Sequence, residues 1–304
     1  MTMRHNGTLI LCYHRVAEGV EDPFYLCVSP GNFAAHLEEM TRGREPSTLA
    51  DVSAPSRRPR VVVTFDDGYS DNLANALPIA ASKGVPITVY VTSGILENHD
   101  GLWWDRLATL LRSRPPQVRE IDLPVGSRKL RLPLGSSGIR ADVDSVRRHL
   151  LPLSVTEIER TLDAVSEQWQ VSSAPPPDAR TLTPEDLRQL AASDTVTIGA
   201  HTVDHVRLRD RPAREQRDTI SASKKQLEHS IGRAVTHFAY PFGRRDDFDD
   251  RSVEAVRAAA FATACTTIPG TARSSTDPYR LPRRLVMNWG RLRFRAQMQR
   301  WKLG

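Results

Sequence analysis

Cysteine is sparse in this chain of 304 residues, and the three present, Cys12, Cys27 and Cys265, are scattered without Cys-x-x-Cys spacing. Neither a disulfide framework nor a thiolate zinc site is suggested, and a reducing, cytoplasmic setting is the expectation. No apolar run is long enough to cross a bilayer. The opening Met1-Thr2-Met3-Arg4-His5-Asn6-Gly7 leads into a short apolar stretch ending at Tyr13-His14, which reads as a first strand rather than a signal peptide. Lysine is scarce too, so the net charge of +6 rests on arginine. Its planar fork suits phosphate or carboxylate, although a solvated arginine-rich surface explains the charge as simply. Aromatic residues make up 6% and do not interleave with basic ones, so nucleic acid is not expected as a partner. The rest is ordinary for a globular chain, with 26% charged and 39% hydrophobic residues, and the length suits one α/β barrel.

The sequence is organised around Val61-Val62-Val63-Thr64-Phe65-Asp66-Asp67-Gly68-Tyr69-Ser70-Asp71-Asn72. A β-branched run ending in Phe65 predicts a short buried strand that stops at two carboxylates and a glycine. Asn72 is read as the cap of a helix over 73–83. In parallel α/β folds the loop after a strand is where chemistry is built, although Asp-Asp-Gly also suits a plain turn. A second strand pattern, Thr195-Val196-Thr197-Ile198-Gly199-Ala200, runs into His201-Thr202-Val203-Asp204-His205. One carboxylate and two imidazoles around an open position form a hydrolytic zinc-type site, and two strand ends carrying these groups suit one metal.

On these residues the chain resembles the polysaccharide deacetylases of carbohydrate esterase family four. Thr64-Phe65-Asp66-Asp67-Gly68 matches the family's first motif and His201-Thr202-x-x-His205 its second. The resemblance implies a distorted, incomplete (β/α) barrel. It also implies Asp66 as catalytic base and Asp67, His201 and His205 as ligands of a divalent metal, zinc foremost, with Co2+ or Ni2+ as alternatives. Ala239-Tyr240-Pro241-Phe242-Gly243 resembles the third motif in the extracellular-polysaccharide branch, which suggests Tyr240, Pro241 and Phe242 as substrate-binding residues. The arginine that positions the base in the more familiar form of that motif is missing, leaving Arg244 or Arg283 to replace it in space. Leu281-Pro282-Arg283 stands where a leucine-x-histidine motif would supply the general acid. His14, protonated Asp66 or metal-bound water remain as acids.

Along the chain, Leu9 to Val16 reads as the first strand, with His14 at its polar end, either reaching the site or bonded to backbone. Phe33, Leu37 and Met40 share one face of a helix with Asn32 as its cap. Another strand follows over 85–92, in a right-handed βαβ order. The alternation then breaks over 95–179, an insertion within a single domain spanning 1–304. It begins at Trp103-Trp104, either sugar-stacking or anchoring residues, and continues with a hairpin turning at Gly126-Ser127. Helices over 139–150 and 155–171 and a stiff run at Pro175-Pro176-Pro177 complete it. Beyond His205, helices are expected over 213–231 and 252–260, and strands over 236–244, 261–267 and 279–287. Residues 290–304 form a basic amphipathic segment that suits either an anionic membrane surface or packing as a terminal helix.

The chemistry these residues suit is metal-assisted amide hydrolysis, removing acetate from an N-acetylated amino sugar in a glycan, a glycan precursor or an aminoglycoside-like molecule. A cyclic amide or imide hydrolase on the same scaffold is the second reading. A non-catalytic glycan-binding protein is the third, supported by the missing histidine and arginine.

Overall fold

The computed structural model describes residues 7–18, 22–97, 101–125, 128–135 and 138–301. They fall into two compact units, one within Met1–Val20, Tyr25–Glu97 and Leu182–Gly304, the other within Glu21–Phe24 and Asn98–Thr181.

The first unit is built on an all-parallel sheet. Its strands run in the order Thr263–Cys265, His237–Ala239, Val196–Ala200, Ile87–Val91, Arg60–Phe65, Thr8–Tyr13 and Arg284–Leu285. Glu45–Pro46 pairs with the start of Arg60–Phe65. β-Branched residues fill these strands because helices cover one face and the barrel interior covers the other, so both faces are buried. The sheet curls until its edges share a segment. Leu281 N–H donates to Ala264 O and Leu281 O accepts from Thr266 N–H, each at 2.9 Å, while Leu285 pairs with Cys12 on the opposite edge. This is the incomplete (β/α) barrel expected from the sequence.

Strand alternation separates the two faces. Ile10, Val62, Tyr90, Ala239, Cys265 and Leu281 cluster in one buried core with Leu49, Val52 and Ala272. Tyr13 and Phe65 instead stack on each other at 5.5 Å and meet Phe33 edge to face. Phe33 lies on the helix Pro30–Thr41, whose cap is Ser29: its side chain accepts from Asn32 N–H. The cap therefore falls three residues earlier than Asn32, because prolines and glycines fit the first helical turn and a hydroxyl fits before it.

The terminal helix Arg291–Arg300 packs on Pro30–Thr41. Phe294 stacks on His36 at 4.0 Å, and Arg295 forks Glu39 at 2.7 and 2.9 Å. Phe294 and Met298 are buried, so this part of the amphipathic stripe is used in packing. Residues 302–304 of that segment lie outside the described residues, as does the hairpin turn at Gly126-Ser127. No helix among the described residues is long and apolar enough to cross a membrane.

The second unit has a helix Trp103–Arg112, an antiparallel hairpin of Glu120–Val125 and Arg128–Pro133, and helices Ile139–Leu150 and Val155–Trp169. Its core joins Leu107, Leu111, Ile121, Val146 and Leu162, all buried. Arg106 ties two of its helices together by pairing with Glu159 and Asp163.

Candidate active site

Asp66 and Asp67 follow the last residue of the Arg60–Phe65 strand, and His201 follows Val196–Ala200. Consecutive side chains on an extended chain would diverge, so the backbone turns sharply. Asp67 has φ 76°, Thr202 φ 65°, His205 φ 54° and Phe242 φ 60°. Non-glycine residues in the left-handed region cost free energy, and four of them at the sheet's C-terminal edge mark a place where geometry outranks comfort. The His201–His205 loop is held by Thr202 Oγ1, which accepts from His205 N–H at 3.0 Å. It is also held by Gly94 N–H, which donates to Val203 O at 2.7 Å. A Cβ on Gly94 would stand 2.6 Å from that oxygen, so the contact needs glycine.

Asp67, His201 and His205 offer ligand atoms within 4.8 Å of one another. Asp67 Oδ1 lies 3.6 Å from His201 Nε2 and 3.3 Å from His205 Nε2. Donors about 2.1 Å from a tetrahedral ion stand about 3.4 Å apart, so the trio fits a divalent metal. His201 is prepared for this role. Its Nδ1–H donates to Ala239 O at 2.8 Å, which fixes the tautomer and leaves Nε2 facing Asp67. Burial pulls its pKa down to about 4 against the pull of Asp66, so the ring is neutral, as a ligand must be. His205 packs edge to face on the half-buried Phe242 at 4.7 Å.

Asp66 sits in a different environment. Arg283 grips it with both ends of its guanidinium, Nη1 to Oδ1 at 2.6 Å and Nη2 to Oδ2 at 2.7 Å. Nη1 also donates to Thr64 Oγ1 at 3.0 Å and Nε to Thr266 O at 2.9 Å. Burial would push the Asp66 carboxyl up, but Arg283, with His201 and His14, holds it well below the usual carboxylate range. Asp67 is likewise held down against its burial, by His205, His14 and His201. The two adjacent carboxylates are thus both anions with different partners.

Of the two arginines suggested to replace the missing one, Arg283 holds Asp66, while Arg244 is exposed. His14 lies with Cys12 and Asp66, the three offering polar atoms within 4.8 Å of one another. Tyr240 is elsewhere. Its ring is fully buried, stacked on Phe248 at 4.1 Å, and its hydroxyl donates to Tyr279 O. It shares a strand face with Phe238, whereas the third motif meets the site through the carbonyl of Ala239 and the ring of Phe242. Pro241 is buried. Trp103 and Trp104, 4% and 5% exposed, meet edge to face at 5.4 Å and anchor the second unit's own core, which corrects the sugar-stacking reading.

Three supporting residues were not anticipated. Cys12, whose thiol burial pushes well up, donates to Asp66 Oδ2 at 3.5 Å. Tyr90 lies under the Arg283 guanidinium at 5.4 Å and donates to Cys265 Sγ at 3.2 Å. Gly199 makes room for Tyr90, because a Cβ there would meet Tyr90 Cδ1 at 2.4 Å. Strand parity carries the signal for two of them, since Cys12 is two residues before His14 and Gly199 two before His201.

The family described as polysaccharide deacetylase matches residues 53–123 and 148–264. The YxkH protein of Bacillus subtilis is 28% identical over 282 residues, spanning 90% of this chain and 69% of its own. A chitooligosaccharide deacetylase of Azorhizobium caulinodans is 47% identical over 51 residues, 16% of this chain and 24% of that protein. Among solved structures, the Streptococcus pyogenes deacetylase PplD in complex with acetate superposes with a TM-score of 0.63 at 17% identity, covering 98% of this chain and 99% of that one. IcaB from Ammonifex degensii gives 0.62 at 17% identity, with 98% of each chain covered. The chain belongs to the polysaccharide deacetylase family, hydrolases that act on amide bonds.

Proposed function

We propose that the protein is a divalent-metal-dependent deacetylase that removes acetate from an N-acetylated amino sugar. The observation that carries this reading is the pair of neighbouring anions with separate partners: Asp67 with two imidazoles, Asp66 with Arg283. A zinc-type ion held by Asp67, His201 and His205 would supply Lewis acidity to the amide carbonyl and the attacking water. Asp66, kept ionised by Arg283, takes the proton from that water as its oxygen attacks the amide carbonyl carbon, and the C–N bond then breaks. His14 returns a proton to the departing amine, the part played in the family by the histidine this chain lacks at Leu281-Pro282-Arg283. Phe242 forms an apolar rim beside His205, suited to a sugar's C–H face or the acetyl methyl. The name of the Azorhizobium relative supports a glycan substrate.

The test is acetate release from N-acetylglucosamine oligomers by protein stripped with a chelator and by the same protein reloaded with Zn2+, Co2+ or Ni2+. Release that returns with metal supports the reading. Equal release with and without metal removes the metal from it, and no release by metal-saturated protein from any N-acetylated sugar contradicts the activity.

A further inference from the structure

His14 lies between two strands, Thr8–Tyr13 and Arg15–Val16, one residue past Tyr13, the last that the main sheet pairs, and a further element holds its carbonyl. The five residues Asn72–Ala76 wind as a π-helix, a form that recurs at functional sites, directly after the loop carrying Asp66 and Asp67. Asn72 Nδ2 donates to His14 O at 2.8 Å and to Asp71 Oδ1 at 3.1 Å. Asp71 accepts from Val16 N–H at 3.0 Å and from Arg15 Nε at 2.9 Å. Asn75 Nδ2 donates to Val16 O at 2.8 Å. The carbonyl of His14 and the amide and carbonyl of Val16 are thus tied to the segment that bears the two catalytic-loop carboxylates. Asn72 is fully buried, and Asp71 and Arg15 are 6% and 3% exposed, so solvent does not compete for these bonds. The expected helix-cap role of Asn72 is not what its side chain performs.

We infer that Asn72, with Asp71 and Arg15, is a positioning residue that sets His14 against Asp66 and so governs proton delivery to the leaving amine. The inference rests on His14 being the proton donor in the reading above. It gives the end of the stretch 61–72 a task of its own: Asp66 and Asp67 act on the substrate side, and Asp71 and Asn72 fix the residue beside Asp66.

The test is a double-mutant cycle of Asn72→Ala and His14→Ala on metal-loaded protein, with metal affinity measured beside acetate release. Asn72→Ala should lower kcat by about 10–100-fold, the scale of a misplaced catalytic group, while KM and metal affinity stay near wild type. In the His14→Ala background the same change should cost nothing further, because its effect passes through His14. Losses that multiply, an unchanged kcat in Asn72→Ala, or a loss of metal overturns the inference. Because Asn72 is buried, the near-isosteric Asp71→Asn, which removes the anion that holds Arg15 and Val16, is run in the same cycle and decides the matter if Asn72→Ala does not fold. His14→Ala with undiminished kcat removes His14 as donor, a failure of the earlier reading seen in a variant that leaves Asn72 untouched.

Discussion

Arg283 and Asp66, 217 residues apart in sequence, meet as a buried two-bond fork with contacts of 2.6 and 2.7 Å. Arg283 can do this because residues just before and just after it bond to opposite edges of the curled sheet. A planar fork fixes both position and plane of the carboxylate, which an ammonium cannot do. Arg283→Lys should therefore keep a charge near Asp66 yet lower kcat about 100-fold, with metal affinity unchanged. Arg283→Met leaves a buried anion alone and should cost about 3–5 kcal/mol of stability, read from urea unfolding at neutral pH. A wild-type kcat in Arg283→Lys would show that the fork's geometry does not matter.

Metal should stabilise the fold through three side chains only. Saturating zinc at about 100 times its Kd contributes about 2.7 kcal/mol and should raise the Tm of the chelator-stripped protein. His201→Ala and His205→Ala should each abolish that rise. A rise that survives in both places the ion somewhere else.

Gly199 reports on the layer beneath Arg283. A Cβ there would meet Tyr90 Cδ1 at 2.4 Å and Cε1 at 2.6 Å, in a ring that is fully buried. Gly199→Ala should destabilise by about 1–3 kcal/mol, the usual cost of overpacking, and should also lower kcat because Tyr90 carries the Arg283 guanidinium. Thermal unfolding and acetate release on one preparation check both. A tolerated alanine with full turnover would mean that Tyr90 moves without consequence.

The parts of this molecule legible in its sequence are those set by local patterning. The strands before Asp66 and His201 and the helix Ala213–Ile231 follow from β-branched runs and an apolar stripe. The Asp67, His201 and His205 cluster followed from two motifs at strand ends. What the sequence could not choose was tertiary. Arg283 was one of two arginines until the closing of the sheet brought it inside. Tyr240 looked like part of a motif, but strand alternation turns its ring to the Phe248 side and leaves the neighbouring carbonyl to serve His201. Asn72 has a cap's chemistry, yet a nearby carbonyl of His14 claims its amide instead.

His36 should make the packing of the terminal helix sensitive to acid. Its ring is buried, accepts from Tyr13 Oη at Nδ1, donates from Nε2 to Trp289 O at 2.6 Å, and stacks on Phe294. Burial lowers its pKa to about 4 from 6.5. The unfolded chain therefore binds the proton more readily, so stability is complete above pH 6.5 and falls as pH drops towards 4. Between pH 7 and pH 5 wild type should lose about 2 kcal/mol more than His36→Gln. Equal losses in the two proteins would mean that His36 carries no part of the acid sensitivity.

The most direct measurement compares Asp66→Asn with Asp67→Asn, scoring zinc stoichiometry and acetate release on the same samples. If adjacent carboxylates divide the work, Asp66→Asn binds one zinc and releases no acetate, while Asp67→Asn loses the zinc and the acetate together. An Asp66→Asn protein that fails to bind zinc, or an Asp67→Asn protein that binds it as wild type does, would contradict that division.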